Sequence, residues 1–534
     1  MEGEAPSGAA AVPHRSSRWE RAAAGRRLTA SLLTLAGVAC VFRILIDPLQ
    51  YRDLISDESF FVWGGWCITK GLVPYRDFMD YKPPLVFLTH AMALAAGGFE
   101  GFRYRWFFVW FPLASVTGLS AALLSRGTSR ILVLALALAI TGIWVDTAFH
   151  ESGFSDAESI GLSYYFGGVA CLIARVRWVR ASRIAAGALL ICSVLSKEPF
   201  LATVAPTGVA CFFLDAPRPW RTEAAVAYLR WTGAGATLVL AALAIYLGPT
   251  GGLGAYLAMT ARYGRLFNDP IHGYCALIGR FHHTTMLGDI ASQLRGAHAR
   301  FLNLRVLGPI GPFALIFGWA ALARRHAPAL TAAVLGALVG SFAALTATHC
   351  QWKHDFVMTM SGIFFIAVLG AIALAVAVPS ARARRLIGCS LLAFVSLLMA
   401  PRVAREARLF GSRRAADPYQ EPIPGVRAAV ATFTVAADRI VTTGAPALYV
   451  QAERRSALRE AFLIDEALGF YDGDSDKAKL SDLRTELEVN RPKLVVIDPL
   501  WASRQERYRR ALFLPFLETH AYREVAPDIW VRPP

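Results

Sequence analysis

The chain has 534 residues, 55% of them hydrophobic and only 18% charged, with a mean hydropathy of +0.42. Those proportions exclude an ordinary soluble enzyme and describe a polytopic membrane protein with room for a bundle of spans and one further domain. The formal charge of +16 could point to nucleic acid, but the basic residues fall in small clusters between apolar runs, so no nucleic-acid partner is expected.

In chain order, a basic tail (residues 1–27) precedes a first apolar segment, Leu28 to Ile46, whose length and Arg43 favour an uncleaved span over a signal peptide. Further candidate spans run Trp106 to Leu124, Ile131 to Thr147, Ile160 to Ala174, Ile184 to Leu195, Phe200 to Leu214 and Trp231 to Leu247. Later ones are Val306 to Ala323, Leu330 to Thr346, Phe356 to Val378 and Leu386 to Ala400. Several fall short of the roughly 20 residues a bilayer core needs and must borrow flanking polar positions.

Arginine placement orients the bundle. Clusters at Arg15 to Arg27, Arg126/Arg130, Arg175 to Arg183, Arg218/Arg221, Arg324/Arg325 and Arg382 to Arg385 mark cytoplasmic connections. The arginine-poor connections at Ala148 to Ser159, around Lys197, at Gly248 to Arg305 and at Thr348 to Asp355 then face outward. Counting the apolar stretch Leu85 to Phe99 as another span would export the Arg175 to Arg183 cluster, so it reads as an interfacial or re-entrant helix. The expected architecture is mainly α: about 11 spans within residues 28–400, a long first outward loop at 47–105, a cytoplasmic N-terminus and an extracytoplasmic segment 401–534. The expected location is a bacterial-type inner (plasma) membrane.

Beyond Arg402 the pattern changes to short β-like runs alternating with amphipathic helices. Strands are expected at Asp438 to Gly444, Ala447 to Ala452, Lys493 to Pro499 and near Tyr522 to Val531. Helices are expected at Ser456 to Leu468, Lys477 to Glu488 and Ala502 to His520, giving a small α/β domain. The eight cysteines give no disulfide framework; a Cys275 to Cys350 bridge is conceivable, but free thiols are expected. No Gly-rich phosphate loop, CxxC pair or HExxH motif occurs, which argues against a nucleotide-driven pump and a zinc hydrolase.

The chemistry concentrates between Ser56 and Leu85. Asp57 and Glu58 are adjacent, so on a helix they diverge by about 100° and only one can enter a given cleft. Asp57 is the choice, although Ser56 or Asp57 can also cap the helix expected at Ser59 to Lys70. Lys82 before Pro83-Pro84 stands where a headgroup phosphate would lie, or snorkels as an interfacial lysine. Tyr75, Arg76 and Tyr81 add polar groups to the same cleft, with Asp77 and Asp80 nearby.

In the next outward loop, His150, Glu151, Asp156 and Glu158 have no basic neighbour in sequence. Asp156 or Glu158 can support the first carboxylate, or Ser155 or Asp156 can cap the following helix. Lys197 interrupts an apolar run and needs an anion or water. Lys353, His354 and Arg262 offer charge to a leaving phosphate, whereas the adjacent His282 and His283 are weak evidence for a metal site.

These residues carry a resemblance. The chain resembles the GT-C superfamily of integral-membrane glycosyltransferases, in the branch with protein O-mannosyltransferases and lipid A aminoarabinose transferases. The matching features are Asp57-Glu58 after the first span, the run from Gly71 to Phe78, Lys82 to Leu85, Asp156/Glu158, Lys197, His354 and the C-terminal α/β domain. The resemblance implies that Asp57 is the catalytic carboxylate and that Lys82 binds the donor phosphate. It also implies a polyprenyl-phosphate sugar donor and a protein, lipid or glycan acceptor at the outer face. DAES replaces the family's short acidic motif and HDF its usual HY. No metal is required, because protein cations can neutralise a monophosphate, though Asp57 and Asp156 could hold Mg²⁺ or Mn²⁺. A transporter or flippase of lipid-linked saccharides, or a non-catalytic binder of them, is the alternative.

Overall fold

The computed structural model describes residues 57–80, 82–98, 102–151, 156–215, 222–268, 310–313, 334–337, 339–340, 356–378, 380–413, 425–444, 446–460, 473–497 and 508–533. The expected first span, the basic tail and most of Val306 to Ala323 and Leu330 to Thr346 lie outside the described residues.

Two short helices, α1 (Asp57–Thr69) and α2 (Pro84–Gly97), precede a run of longer apolar ones. These are α3 (Phe102–Ser125), α4 (Arg130–Glu151), α5 (Ala157–Ile173), α6 (Val179–Val194), α7 (Leu201–Asp215), α8 (Thr222–Leu247) and α9 (Gly252–Asn268). After a break come α10 (Phe356–Ala377) and α11 (Ala381–Arg413). The expected spans from Trp106 to Leu247 thus fall within helices to within a residue at either end, and of the expected helix Leu85 to Phe99 the stretch up to Gly97 is helical, Phe99 lying outside the described residues.

The bundle has two chemically different ends. At one, Arg126 donates to the carbonyl of Ile173, and the Arg175 N–H donates to Ser125 Oγ at 2.9 Å. There too Arg384 caps the end of α10 through Val378 O at 2.9 Å, and Arg180 and Arg183 lie over the rings of Trp231 and Tyr228. The opposite end gathers the connection before α2, the start of α5, the α6–α7 break and the α8–α9 turn. The Leu85 N–H bonds to Leu195 O at 3.2 Å, and Arg76 to Thr250 O at 3.2 Å.

Among the described residues, two helical stretches are both long and apolar enough to cross a membrane, Thr222–Leu247 and Ala381–Pro401. Shorter apolar stretches include Trp110–Ser125, Arg130–Trp144, Ala157–Ile173 and Ser361–Ala375. The two long ones turn their apolar side chains outward: Leu229 is 67% exposed, Ile245 74% and Leu397 72%. A contiguous outward apolar surface of this kind is costly in water and natural against lipid.

Close approach of α6 and α8 depends on missing side chains. A Cβ at Gly187 would stand 1.8 Å from Thr232 O, and one at Gly235 would stand 1.9 Å from Ile184 O. Small residues at such a crossing let two backbones touch, the packing mode favoured between helices in lipid.

The C-terminal part is a five-stranded sheet in the order β2-β1-β3-β5-β4, built from β1 (Arg439–Thr442), β2 (Arg455–Ser456), β3 (Leu494–Val496), β4 (Arg523–Ala526) and β5 (Ile529–Val531). The first three strands pair in parallel and the last two antiparallel, with β3 fully buried at the centre. Helices α12 (Val426–Phe433), α13 (Ala447–Ala452), α14 (Gly473–Asn490) and α15 (Leu514–Thr519) accompany it.

Two expectations are corrected here. Ala447 to Ala452 is helical, because Pro446 opens it and its first four residues are all buried, which a strand with one wet face does not allow. Arg455–Ser456 forms an edge strand where the helix Ser456 to Leu468 was expected, and residues 461–472 lie outside the described set.

The sheet is anchored to α1. Ser59 Oγ accepts the Ala447 N–H at 2.8 Å, Trp63 and Tyr449 rings meet at 5.9 Å, and Met79 N–H bonds to Arg459 O at 3.0 Å.

Candidate active site

The connection from α1 to α2 is shaped by its prolines and by Tyr75. Pro83, in extended geometry, precedes Pro84 at the first helical position, where the missing N–H costs nothing. Lys82 is therefore held just before a helix start and is only 9% exposed. Its ammonium lies 4.8 Å from the centre of the Phe61 ring, a cation–π contact. Its carbonyl accepts the Tyr75 hydroxyl at 2.7 Å.

Tyr75 has φ of 69°, a conformation that costs a bulky residue about 1–3 kcal/mol and persists only where packing imposes it. Here its N–H bonds to Phe78 O at 2.7 Å and its ring lies 4.8 Å from Tyr256 of α9. Burial pushes the phenol well above its ordinary range, with Tyr256, Asp80 and Glu198 adding to the effect, so Tyr75 acts as a neutral hydroxyl donor.

The α6–α7 break supplies the second half of the site. Lys197 leaves helical geometry (φ −154°, ψ 117°) and is followed by a 3₁₀ turn, Glu198–Phe200, with Pro199 inside it. The break turns Lys197 back onto α5, where its ammonium forms a salt bridge with Glu158, a residue 3% exposed. Glu198 feels both Lys197 and Lys82. Partial loss of hydration raises its carboxyl, while its own backbone N–H and the two lysines act in the opposite sense. Lys82, Asp80 and Tyr75 are thus buried together, Glu198 stands exposed within reach of the charge of Lys82, and the Lys197–Glu158 pair adjoins them.

Asp156 occupies the N-cap position of α5 with extended backbone, yet makes no side-chain capping bond, so capping is not what its carboxylate does. It is 2% exposed. Glu158, which has no basic neighbour in sequence, pairs with Lys197 from the distant α6–α7 break. That pairing makes Glu158 a fixed anion rather than an available base.

Arg76, expected in this cleft, is also corrected. It is exposed, pairs with Asp77 at 2.7 Å and lines a cavity shared with Arg455 and Arg459 rather than with Lys82. That bond holds Asp77 below its usual carboxylate range, assisted by the Val73 N–H and by the charge of Arg455. Glu58 is partly exposed on the first turn of α1. Asp57 is the first residue of α1, and its side chain lies outside the described set, as does that of Arg262 in α9. Tyr81, Lys353 and His354 lie outside the described residues altogether.

Sequence reasoning missed Glu198 as a site residue. The signal was present in the charged Lys197-Glu198 step interrupting an apolar run. Among the described residues, no group of three or more His, Cys, Asp or Glu side chains could hold a metal ion. The expected Mg²⁺ or Mn²⁺ ligands are Asp57 and Asp156, and the side chain of Asp57 lies outside the described set.

No protein-family model and no curated protein sequence matches the chain. Several solved structures are similar to it. An apo oligosaccharyltransferase from Archaeoglobus fulgidus is 13% identical over 87% of this chain and 69% of its own, with a TM-score of 0.49. ArnT from Cupriavidus metallidurans bound to undecaprenyl phosphate is 14% identical over 94% of this chain and 98% of its own, with a TM-score of 0.48. The oligosaccharyltransferase AglB from Archaeoglobus fulgidus, with an inhibitory peptide and a dolichol-phosphate, is 12% identical over 94% of this chain and 74% of its own, with a TM-score of 0.44. At these identities and scores, the functional reading stands on the chain's own residues.

Proposed function

We propose that the protein is a membrane glycosyltransferase that moves a sugar from a polyprenyl-phosphate donor to a hydroxyl of an envelope acceptor at the outer face. The observation that carries the reading is a buried lysine, Lys82, beside Glu198 and the Lys197–Glu158 pair, at the bundle end opposite the arginine-rich one. A cation placed there suits a lipid-borne monophosphate better than a soluble one, because the phosphate stays at the headgroup level while its chain remains in lipid. The about 11 spans, the extracytoplasmic C-terminal unit (401–534) and the bacterial-type inner membrane belong to the same proposal, supported by the segregation of arginines.

In this reading Asp57 accepts the proton of the acceptor hydroxyl as its oxygen bonds to the anomeric carbon. The carbon–oxygen bond to phosphate breaks, and the released charge is met by Lys82. General-base help of this kind is worth about 10²- to 10⁴-fold, and one well-placed donor to the developing charge about 10²- to 10³-fold. Glu158 and Lys197 hold the floor of the site rather than reacting.

Purified protein in liposomes, given a labelled polyprenyl-phosphate sugar and extracted envelope acceptors, tests this. Wild type transfers label, and Asp57→Asn does not. Translocation of the lipid that persists in Asp57→Asn, with no transfer by wild type, would assign the protein to transport instead. Binding without either would make it a non-catalytic carrier of the lipid.

A further inference from the structure

A cavity of about 540 Å³ opens between the α1–α2 connection and the C-terminal sheet. Its basic lining is Lys70, Arg76, Arg439, Arg455 and Arg459, against two carboxylates, Asp77 and Glu486. Both carboxylates are already engaged: Arg76 pairs with Asp77 at 2.7 Å and Arg459 with Glu486 at 2.6 Å. Among the described residues, Lys70, Arg439 and Arg455 form no ion pair. Arg439 and Arg455 are register partners on the parallel strands β1 and β2, so two like charges stand side by side at the cavity. Like charges directly opposite on neighbouring strands destabilise a sheet. Trp63 and Trp66 belong to the same lining, and Lys70 lies 5.6 Å from the centre of the Trp66 ring.

We infer that this cavity binds an anionic saccharide, one bearing a phosphate or carboxylate. The oxyanion would sit between Arg439 and Arg455 and the sugar hydroxyls toward Ser456 and Asn490 of the same lining. Guanidinium forks match such oxyanions in two-bond geometry. The excess cations supply the specificity, because the two carboxylates present are consumed by neighbours. Arg76 and Arg459, fixed by those carboxylates, hold the two walls in place. The site is separate from the Lys82 cluster and does not depend on whether sugar transfer takes place there.

Isothermal titration of the full chain in detergent tests it, with glucose 1-phosphate as probe and glucose and inorganic phosphate as comparators. Glucose 1-phosphate is expected to bind more weakly as salt rises, inorganic phosphate more weakly than the sugar phosphate, and glucose not at all. Arg439→Gln/Arg455→Gln should weaken the sugar phosphate at least tenfold, whereas Gly233→Ala, away from both sites, should leave its affinity unchanged. A stability readout is independent of the ligand: Arg439→Gln alone should raise the melting temperature in anion-free buffer, because it relieves the Arg439–Arg455 repulsion. Absence of binding to wild type, or binding lost in Lys82→Met and retained in the double arginine variant, would overturn the assignment. Displacement of glucose 1-phosphate by phosphatidylglycerol bicelles would reassign the cavity to a lipid headgroup and also overturn it. If the double variant fails to fold, Arg439→Gln combined with Lys70→Met serves the same comparison.

Discussion

Replacing Lys197 by methionine removes the cation from a pair whose side chains are only 15% and 4% exposed, and leaves Glu158 charged in an apolar bundle. Breaking a buried pair from one side typically costs about 3–5 kcal/mol, and the residual exposure of Lys197 places this case toward the lower value. About 3 kcal/mol is roughly a hundredfold shift in the folded-to-unfolded ratio, since each 1.4 kcal/mol is tenfold. Glu158→Gln should cost less, about 1–2 kcal/mol, because the more exposed ammonium can turn toward water. The double variant Lys197→Met/Glu158→Gln should recover most of the loss, since neither charge is then stranded. Reversible unfolding in mixed micelles, read as a double-mutant cycle, measures the coupling. A coupling near zero, or a neutral Lys197→Met, would contradict the placement of Lys197 on α5 and with it the floor of the proposed site.

Three further outcomes follow from the geometry. Tyr75→Phe deletes the 2.7 Å bond to the Lys82 carbonyl and should cost about 1–3 kcal/mol by leaving that buried acceptor short of a donor, visible in thermal unfolding together with weaker polyprenyl-phosphate binding. Gly235→Ala places a Cβ 1.9 Å from Ile184 O and should lower the melting temperature sharply, whereas Gly233→Ala on the same helix meets nothing within 4 Å and should be neutral or stabilising by up to about 1 kcal/mol. Equal effects of the two would disprove the close α6–α8 crossing. Asp77, whose pKa is lowered, contributes stability that is present above its unfolded value and lost as pH falls through the folded value, so the Arg76–Asp77 link should weaken only below the ordinary carboxylate range. Exchange protection of the Val73 amide, which donates to Asp77 Oδ2 at 2.8 Å, would report it, and a loss already at pH 5 to 6 would refute the pairing.

Much of the helical part was legible in the sequence, because apolar runs bounded by arginines carry their own length and direction. The helices from α3 to α7 begin and end within about five residues of the apolar runs that announce them, whereas α8 starts at Thr222, nine residues ahead of the expected Trp231. The chemistry near Lys82 was legible for a local reason: two prolines pin the lysine to a helix entrance, whatever surrounds it. What the sequence concealed was pairing across helices. Glu158 and Lys197 are 39 residues apart, and only the turn at Lys197 brings them together. Arg76 looked like part of the cleft because it neighbours Tyr75, but the left-handed backbone at Tyr75 sends the two side chains to different surroundings. The run Ala447 to Ala452 misled because Val and Tyr favour strands intrinsically, whereas its place between Pro446 and α1 rewards a compact buried turn.

The central claim is that Lys82 holds a lipid phosphate at the outward end of the bundle. Equilibrium binding of a short-chain polyprenyl phosphate to purified protein, wild type against Lys82→Met at matched folding, tests it most directly. The account predicts binding to wild type and at least a tenfold loss in the variant, as expected when one charged partner of a phosphate is removed. Equal affinity in the two proteins, or no binding to wild type, would contradict it.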